Sequence, residues 1–267
     1  MSAIELTPAF RPRPIRHVFM DWDGTTALTR GGWSDIMVEL FAEMLPVFPH
    51  EDDASIRIIA REELMRLNGR PSIHQMARLS EMVEERGGVA GGADDYQRDY
   101  QSRVARLIES RLARVQAGDA SPDSLLVPGV RAFFTELNER GIAITLASGT
   151  PLPELLLEVR LLGLEHHFAA IHGPADLKDR TFAKRDILQL VLRENGLEGP
   201  ELIAFGDGPV ELIETLAIGG LAVAVATDEA QPGCLDTGKR DTLLAVGSEA
   251  VIADFTALSE LLAAFFP

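Results

Sequence analysis

Cysteine is almost missing from this chain of 267 residues: only Cys234 is present, in a stretch that also holds proline and glycine. One thiol permits no intrachain disulfide, so a reducing cytoplasm is the expected compartment. Positive charge is scarce too, with 25 basic against 41 acidic residues and a net charge of −16. Such a field repels nucleic acid and anionic membranes, and neither is expected as a partner. An anionic ligand would have to be drawn in by a local cation against the global field. No apolar run approaches the roughly 18 residues of a membrane span. Residues 1–14 hold three prolines and no apolar signal-peptide core, and read as a flexible N-terminal arm. Internal repeats and low-complexity segments are lacking, and nothing in the pattern indicates an oligomeric state.

What is present begins with Phe19-Met20-Asp21-Trp22-Asp23-Gly24-Thr25-Thr26. His17 to Met20 reads as a buried strand, and two carboxylates two residues apart follow at its end. Burying such a pair is costly without a cation or a catalytic task. Alternation along an extended chain would point Asp21 and Asp23 to one side, and Gly24 lets the backbone turn. One member could bind a hard cation while the other handles a proton. An acidic turn capping a strand is the bland alternative, and the motif alone is too short to decide.

For about a hundred residues after that turn the apolar spacing is helical. Four helices are expected: one carrying Ile36 to Leu45, one carrying Ile56 to Leu67, one from Ser72 with capping-box spacing, and one from about Asp94 to Gln116. From Val127 the pattern alternates. Strands are expected at 142–147, 169–172, 202–205, 221–226 and 250–252, with helices at 130–140, 152–162, 183–195, 210–216 and 255–265. Apolar strands separated by amphipathic helices argue for an α/β fold, a parallel sheet covered on both faces. The expected organisation is a core built from 15–29 and 126–267 with an all-helical lobe, 30–125, inserted after the first strand. That insertion point is the carboxyl end of the strand, where ligands bind in open parallel sheets, so the lobe is placed to act as a lid. The polar stretch Asp228 to Gly247 reads as an excursion.

Three more strands end in chemistry-bearing residues. Ser148-Gly149-Thr150 follows the strand at 142–147, and its hydroxyls and amides suit an anion as well as an ordinary helix cap. Lys184 opens a helix, where the dipole disfavours a cation; facing an acidic pocket would explain it, with Lys178 a competitor and a solvated lysine the plain alternative. Gly206-Asp207-Gly208-Pro209-Val210-Glu211 places two acids one helical turn apart, which repel unless a cation lies near.

In this order the four pieces resemble the motifs of the haloacid dehalogenase superfamily, in its helical-cap class, which includes phosphoglycolate phosphatases and β-phosphoglucomutases. The resemblance runs from about His17 to the end of the chain, through Asp21-Trp22-Asp23-Gly24-Thr25, Ser148, Lys184 and Gly206-Asp207-x-x-x-Glu211. It implies a Rossmann-like core with a helical cap and a Mg²⁺-dependent phosphatase. Asp21 would be the nucleophile and Asp23 the acid and base. Asp21, the Asp23 backbone carbonyl and Asp207 would bind Mg²⁺, with Glu211 nearby. Gly24, Thr25, Ser148, Gly149 and Lys184 would hold the phosphoryl group. Glu211 stands where the family more often has aspartate, which leaves direct metal contact or an orienting role open.

Branches of the superfamily separate by residue. Asp23 argues against the dehalogenases, which lack it. Lysine is absent between Thr29 and Val127, which argues against the phosphonatases and their cap lysine. Phosphosugar mutases share all four motifs but tend to carry an apolar residue where Thr25 stands. Arg70, His74 and Gln75 lie in a stretch that resembles the specificity loop of cap domains, or they form an ordinary helix start. The expected partner is a small phosphorylated metabolite, with a sugar phosphate preferred. A non-catalytic phosphate-binding protein is the reading from another class, against which the intact pair Asp21 and Asp23 speaks.

Overall fold

The computed structural model describes residues 3–67, 72–176 and 181–267, and it holds a mixed seven-stranded sheet in the order β1-β7-β6-β5-β2-β3-β4. The strands are β1 (Ile4–Leu6), β2 (His17–Met20), β3 (Ala143–Ala147), β4 (Ala170–His172), β5 (Leu202–Gly206), β6 (Leu221–Val225) and β7 (Ala250–Ile252). All pairings are parallel except β1 with β7. Every residue of β2, β5 and β6 is buried, as expected of strands covered on both faces. Helices α5 (Val130–Glu139), α6 (Leu152–Leu161), α7 (Lys184–Asn195), α8 (Pro209–Ala217), α9 (Thr237–Ala245) and α10 (Leu258–Phe265) complete the alternation.

A ring cluster packs α5 and α10 against β5. Phe133 of α5 stacks on Phe255 at 4.9 Å and meets Phe205 of β5 edge-on at 5.4 Å. Phe265 of α10 adds a second edge contact to Phe205 at 6.0 Å. Each ring is fully or nearly fully buried, so the cluster supplies apolar area as well as aromatic geometry.

The N-terminal arm differs from expectation, because its first part is an edge strand. Ile4 is buried and pairs with Ile252, and Arg13 makes two bonds to Glu249, at 2.6 and 2.9 Å. A three-residue strand has no readable period, and its partner lies at the far end of the chain, so local pattern could not reveal it. The excursion after β6 also has structure. It folds back through a bridge between Thr227 and Leu235, then enters α9 with Asp236 accepting from the Lys239 amide at 2.9 Å.

The chain divides into two compact units, one formed by Met1–Gly31 with Arg111–Pro267 and the other by Gly32–Ser110. The second unit contains α1 (Trp33–Met44), α2 (Asp53–Arg66), α3 (Ser72–Glu85) and most of α4 (Ala93–Gln116). Its core gathers Met37, Leu40, Phe41, Ile56, Met76 and Leu79, all at most 1% exposed. The expected lobe ended at 125, whereas the compact unit ends inside α4. From Arg111 onward the helix groups with the larger unit, where the Arg111 guanidinium donates to the carbonyls of Thr29 at 2.8 Å and Gly31 at 2.7 Å. Among the described residues no helix is long and apolar enough to cross a membrane.

Candidate active site

The sheet order places β2 between β3 and β5, so the carboxyl ends of three parallel strands meet. Chains leaving adjacent parallel strands toward different sides open a crevice there. Asp21 leaves β2, Ser148 leaves β3 and Asp207 leaves β5. Lys184, first residue of α7, reaches the same place. Its ammonium donates to Asp21 Oδ1 at 2.6 Å and to Glu211 Oε2 at 3.0 Å.

Asp21, Asp207 and Glu211 each bring one carboxylate oxygen within 4.8 Å of the others. Two glycines make that approach feasible. Gly24 has φ +69°, and a Cβ there would fall 2.1 Å from Asp207 Oδ2. A Cβ on Gly206 would fall 2.3 Å from Glu211. Any larger residue would push an acid out of the cluster.

Burial sets the electrostatics. It pushes the Asp21 carboxyl up to about 6, against the Lys184 charge, with Asp207 and Asp23 adding to the rise. It pushes Asp207 up to about 6 as well, against the Lys239 ammonium. Glu211 is raised by burial and by Asp21. Lys184 is raised: burial opposes its charge, but Asp21 and Glu211 more than restore it. Three crowded acids share two ammonium groups, Lys184 and Lys239, and leave an oxygen donor set with one negative charge in excess, which suits a hard divalent cation. Glu211 is the least free of the three. Its Oε1 accepts from the Gly208 amide at 2.8 Å and its Oε2 from Lys184, so its bonds fix α8 and the lysine.

Asp23 turns to other partners. Arg30 donates to its Oδ1 at 2.7 Å and Thr150 to its Oδ2 at 2.9 Å. Burial raises its pKa, and Arg30 opposes the rise. Ser148 is buried, and its Oγ accepts from the Thr150 amide at 3.0 Å. Gly149 is exposed, with open space where a Cβ would stand. The backbone amides of Gly24 and Thr25 are spent within the turn. The Gly24 amide donates to Ala27 O at 2.9 Å, and the Thr25 amide faces Trp22 O at 3.4 Å. Thr25 is fully buried, and its Oγ1 has no hydrogen-bond partner among the described residues.

Of the cap residues, His74 is exposed and Gln75 buried on α3, while Arg70 lies outside the described residues, as does Lys178. Sequence reasoning missed three groups in the larger unit. Lys239 donates to Asp207 Oδ2 at 3.0 Å and to Glu229 Oε1 at 3.3 Å. Arg30 bonds to Asp23 and, on its other side, to Glu158. The only linear signal for Lys239 was the Asp236-x-x-Lys239 spacing of a helix cap, and it says nothing about where the ammonium goes.

Comparison with known proteins shows the family and the fold. A family model described as haloacid dehalogenase-like hydrolase matches residues 15–219. The protein belongs to the haloacid dehalogenase-like hydrolases. Three solved structures share the fold. One is a family hydrolase from Deinococcus radiodurans R1 with bound phosphate and sodium: 17% identity, 96% of this chain and 99% of that one covered, TM-score 0.64. Another, described as a predicted phosphoglycolate phosphatase, comes from Haemophilus somnus: 12% identity, 93% and 98% covered, TM-score 0.59. The third is a mutant of CbbY from Rhodobacter sphaeroides in complex with xylulose-1,5-bisphosphate: 19% identity, 91% and 96% covered, TM-score 0.54. Among curated proteins no match was found.

Proposed function

We propose that this hydrolase is a phosphatase of small phosphate monoesters with Asp21 as nucleophile. The observation that carries the reading is the junction of Asp21 with Lys184 and Asp207 at the strand ends. It combines an attacking carboxylate, a cation for phosphoryl oxygens and a hard-metal donor set.

In the first half-reaction an Asp21 carboxylate oxygen bonds to phosphorus and the ester P–O bond breaks. The leaving oxygen takes a proton from Asp23. In the second, water bonds to phosphorus as the Asp21–phosphorus bond breaks, and Asp23 takes the water's proton. Phosphate and alcohol leave, and both carboxyl groups return to their starting states. Lys184 and the Ser148 hydroxyl hold the other phosphoryl oxygens while charge shifts between them. Asp21 and Asp207 would hold Mg²⁺, whose charge offsets the repulsion between a carboxylate and a phosphate dianion. Glu211 keeps Lys184 aimed at Asp21.

A sugar phosphate is the preferred substrate class, in keeping with the sugar bisphosphate bound to the CbbY relative. An exposed, unpaired Cys234 fits a reducing cytoplasm. The test is a panel of sugar, polyol and aryl phosphates assayed with Mg²⁺ and with chelator. Free phosphate released only with Mg²⁺, and abolished in Asp21→Asn, is the expected result. Isomerisation without phosphate release would make the protein a mutase, and inertness toward the whole panel would make it a binder.

A further inference from the structure

Behind Asp23 lies a partly buried ionic assembly that takes no direct part in the reaction. Glu158 on α6 is 2% exposed, and its carboxylate accepts from the Trp22 indole at 2.9 Å and the Thr29 hydroxyl at 2.8 Å. Arg30 closes on it with both terminal nitrogens. Nη2 meets Glu158 Oε1 at 2.9 Å, and Nη1 meets Oε2 at 3.1 Å. The same Nη1 reaches Asp23 Oδ1 at 2.7 Å. Thr150 holds the other Asp23 oxygen, so both edges of that carboxylate are pinned.

Burying a glutamate and an arginine beside a sheet is a poor way to gain stability, because desolvation consumes most of the attraction. What the arrangement does supply is direction. A guanidinium is a planar fork, and once two of its nitrogens are fixed on Glu158 its remaining reach is fixed as well. Glu158 is itself immobilised by Trp22, which is fully buried between Asp21 and Asp23 in the chain. The orientation of Asp23 is thus referred to α6 and to the floor of its own loop.

We infer that Arg30 and Glu158 form a clamp that positions the Asp23 carboxylate for proton transfer to the leaving oxygen. The inference rests on the phosphatase reading. Neither residue touches the reacting phosphoryl group; both are positioning residues. Leaving groups reveal their role. An acidic phenol departs without being protonated, whereas a sugar or alkyl alkoxide needs a proton as the bond breaks, and a placed acid contributes about 10²–10⁴ in rate there.

The experiment compares wild type with Arg30→Lys, Arg30→Gln, Glu158→Gln and Thr150→Val on p-nitrophenyl phosphate and on a set of alkyl and sugar phosphates. Circular dichroism and melting are recorded for each variant. For Arg30→Gln, the single-turnover burst of released alcohol, which reads ester cleavage alone, should slow about 100-fold on alkyl esters with KM within about threefold, while the p-nitrophenol burst changes less than about fivefold; the later water attack, which Asp23 also assists, slows on both classes alike. The rate should depend more steeply on leaving-group acidity. Arg30→Lys should not restore the alkyl rate, because an ammonium lacks the fork. Adding Arg30→Gln to Asp23→Asn should cost nothing further on alkyl esters. Equal losses in the burst rate on both ester classes, a change confined to KM, or full additivity with Asp23→Asn would overturn the clamp. If Glu158→Gln does not fold, Arg30→Lys and Thr150→Val carry the test. An active wild type with uniform losses refutes the clamp alone, whereas a wild type inert to every ester refutes the phosphatase reading and the clamp with it.

Discussion

Saturating Mg²⁺ should raise the melting temperature of this protein far more at pH 8 than at pH 5. Asp21 and Asp207 rise from 3.8 to about 6 on folding, chiefly because they are buried. A raised carboxyl pKa favours the protonated acid in the fold. Its contribution is full below 3.8 and lost as pH climbs through about 6. Without metal, ionising each acid costs ~3 kcal/mol at the standard 1.36 kcal/mol per pH unit. A divalent cation between them removes that cost, and it binds only when both are ionised. At pH 8 they are ionised; at pH 5 each is protonated about ten to one, so affinity falls roughly 100-fold. With Mg²⁺ at about 100 times its pH 8 dissociation constant, the stabilisation is about 2.7 kcal/mol. At pH 5 the same concentration gives about 0.4 kcal/mol. A chain of this size gains about 2–4 °C per kcal/mol, so the shifts should be about 5–10 °C and about 1 °C. Calorimetric or fluorescence melts with Mg²⁺ and with chelator at both pH values measure this directly. Equal shifts at the two pH values, or none at either, would refute the assignment of Asp21 and Asp207 as a metal pair.

Three further outcomes follow from the same structure. Lys239→Met should destabilise the metal-free protein by about 2 kcal/mol, because Asp207 and Glu229 lose a partly buried partner, and melts with Mg²⁺ should narrow the gap. Gly24→Ala should cost about 1–2 kcal/mol from its left-handed backbone alone. It should also abolish Mg²⁺ stabilisation, read by the same melts, since the new methyl would sit 2.1 Å from Asp207 Oδ2. Burial lowers His17 from 6.5 to about 4, where its ring pairs with the Thr145 hydroxyl at 2.8 Å. A depressed histidine contributes stability above 6.5 that is lost as pH falls through about 4, ~3 kcal/mol in all. Chemical denaturation of His17→Gln across that window should show a shallower acid limb than wild type.

The sheet and the meeting of its acids were legible because each is local chemistry in the chain. Strands covered on both faces must be continuously apolar, which marks β2, β5 and β6. Polar residues directly after such strands can only stand at one end of a parallel sheet, and Asp21, Ser148 and Asp207 do. Other features belong to contacts between distant segments. The three residues of β1 carry too little pattern to announce a strand, and only the edge of β7 makes them one.

Glu211 lies one helical turn from Asp207 by sequence alone, but whether it contacts a metal or orients other groups was open. The fold gives its carboxylate oxygens to Lys184 and the Gly208 amide. Lys239 and Arg30 look like ordinary surface cations in the sequence. One is carried onto Asp207 by a loop that folds back before α9, the other onto Asp23 by a glutamate buried on α6. The sequence by itself determined which strands are buried and which acids stand at their ends, because burial and alternation leave a periodic trace. Only the tertiary structure decided which cation faces which acid, because a charge at the tip of a long side chain leaves no trace of its direction.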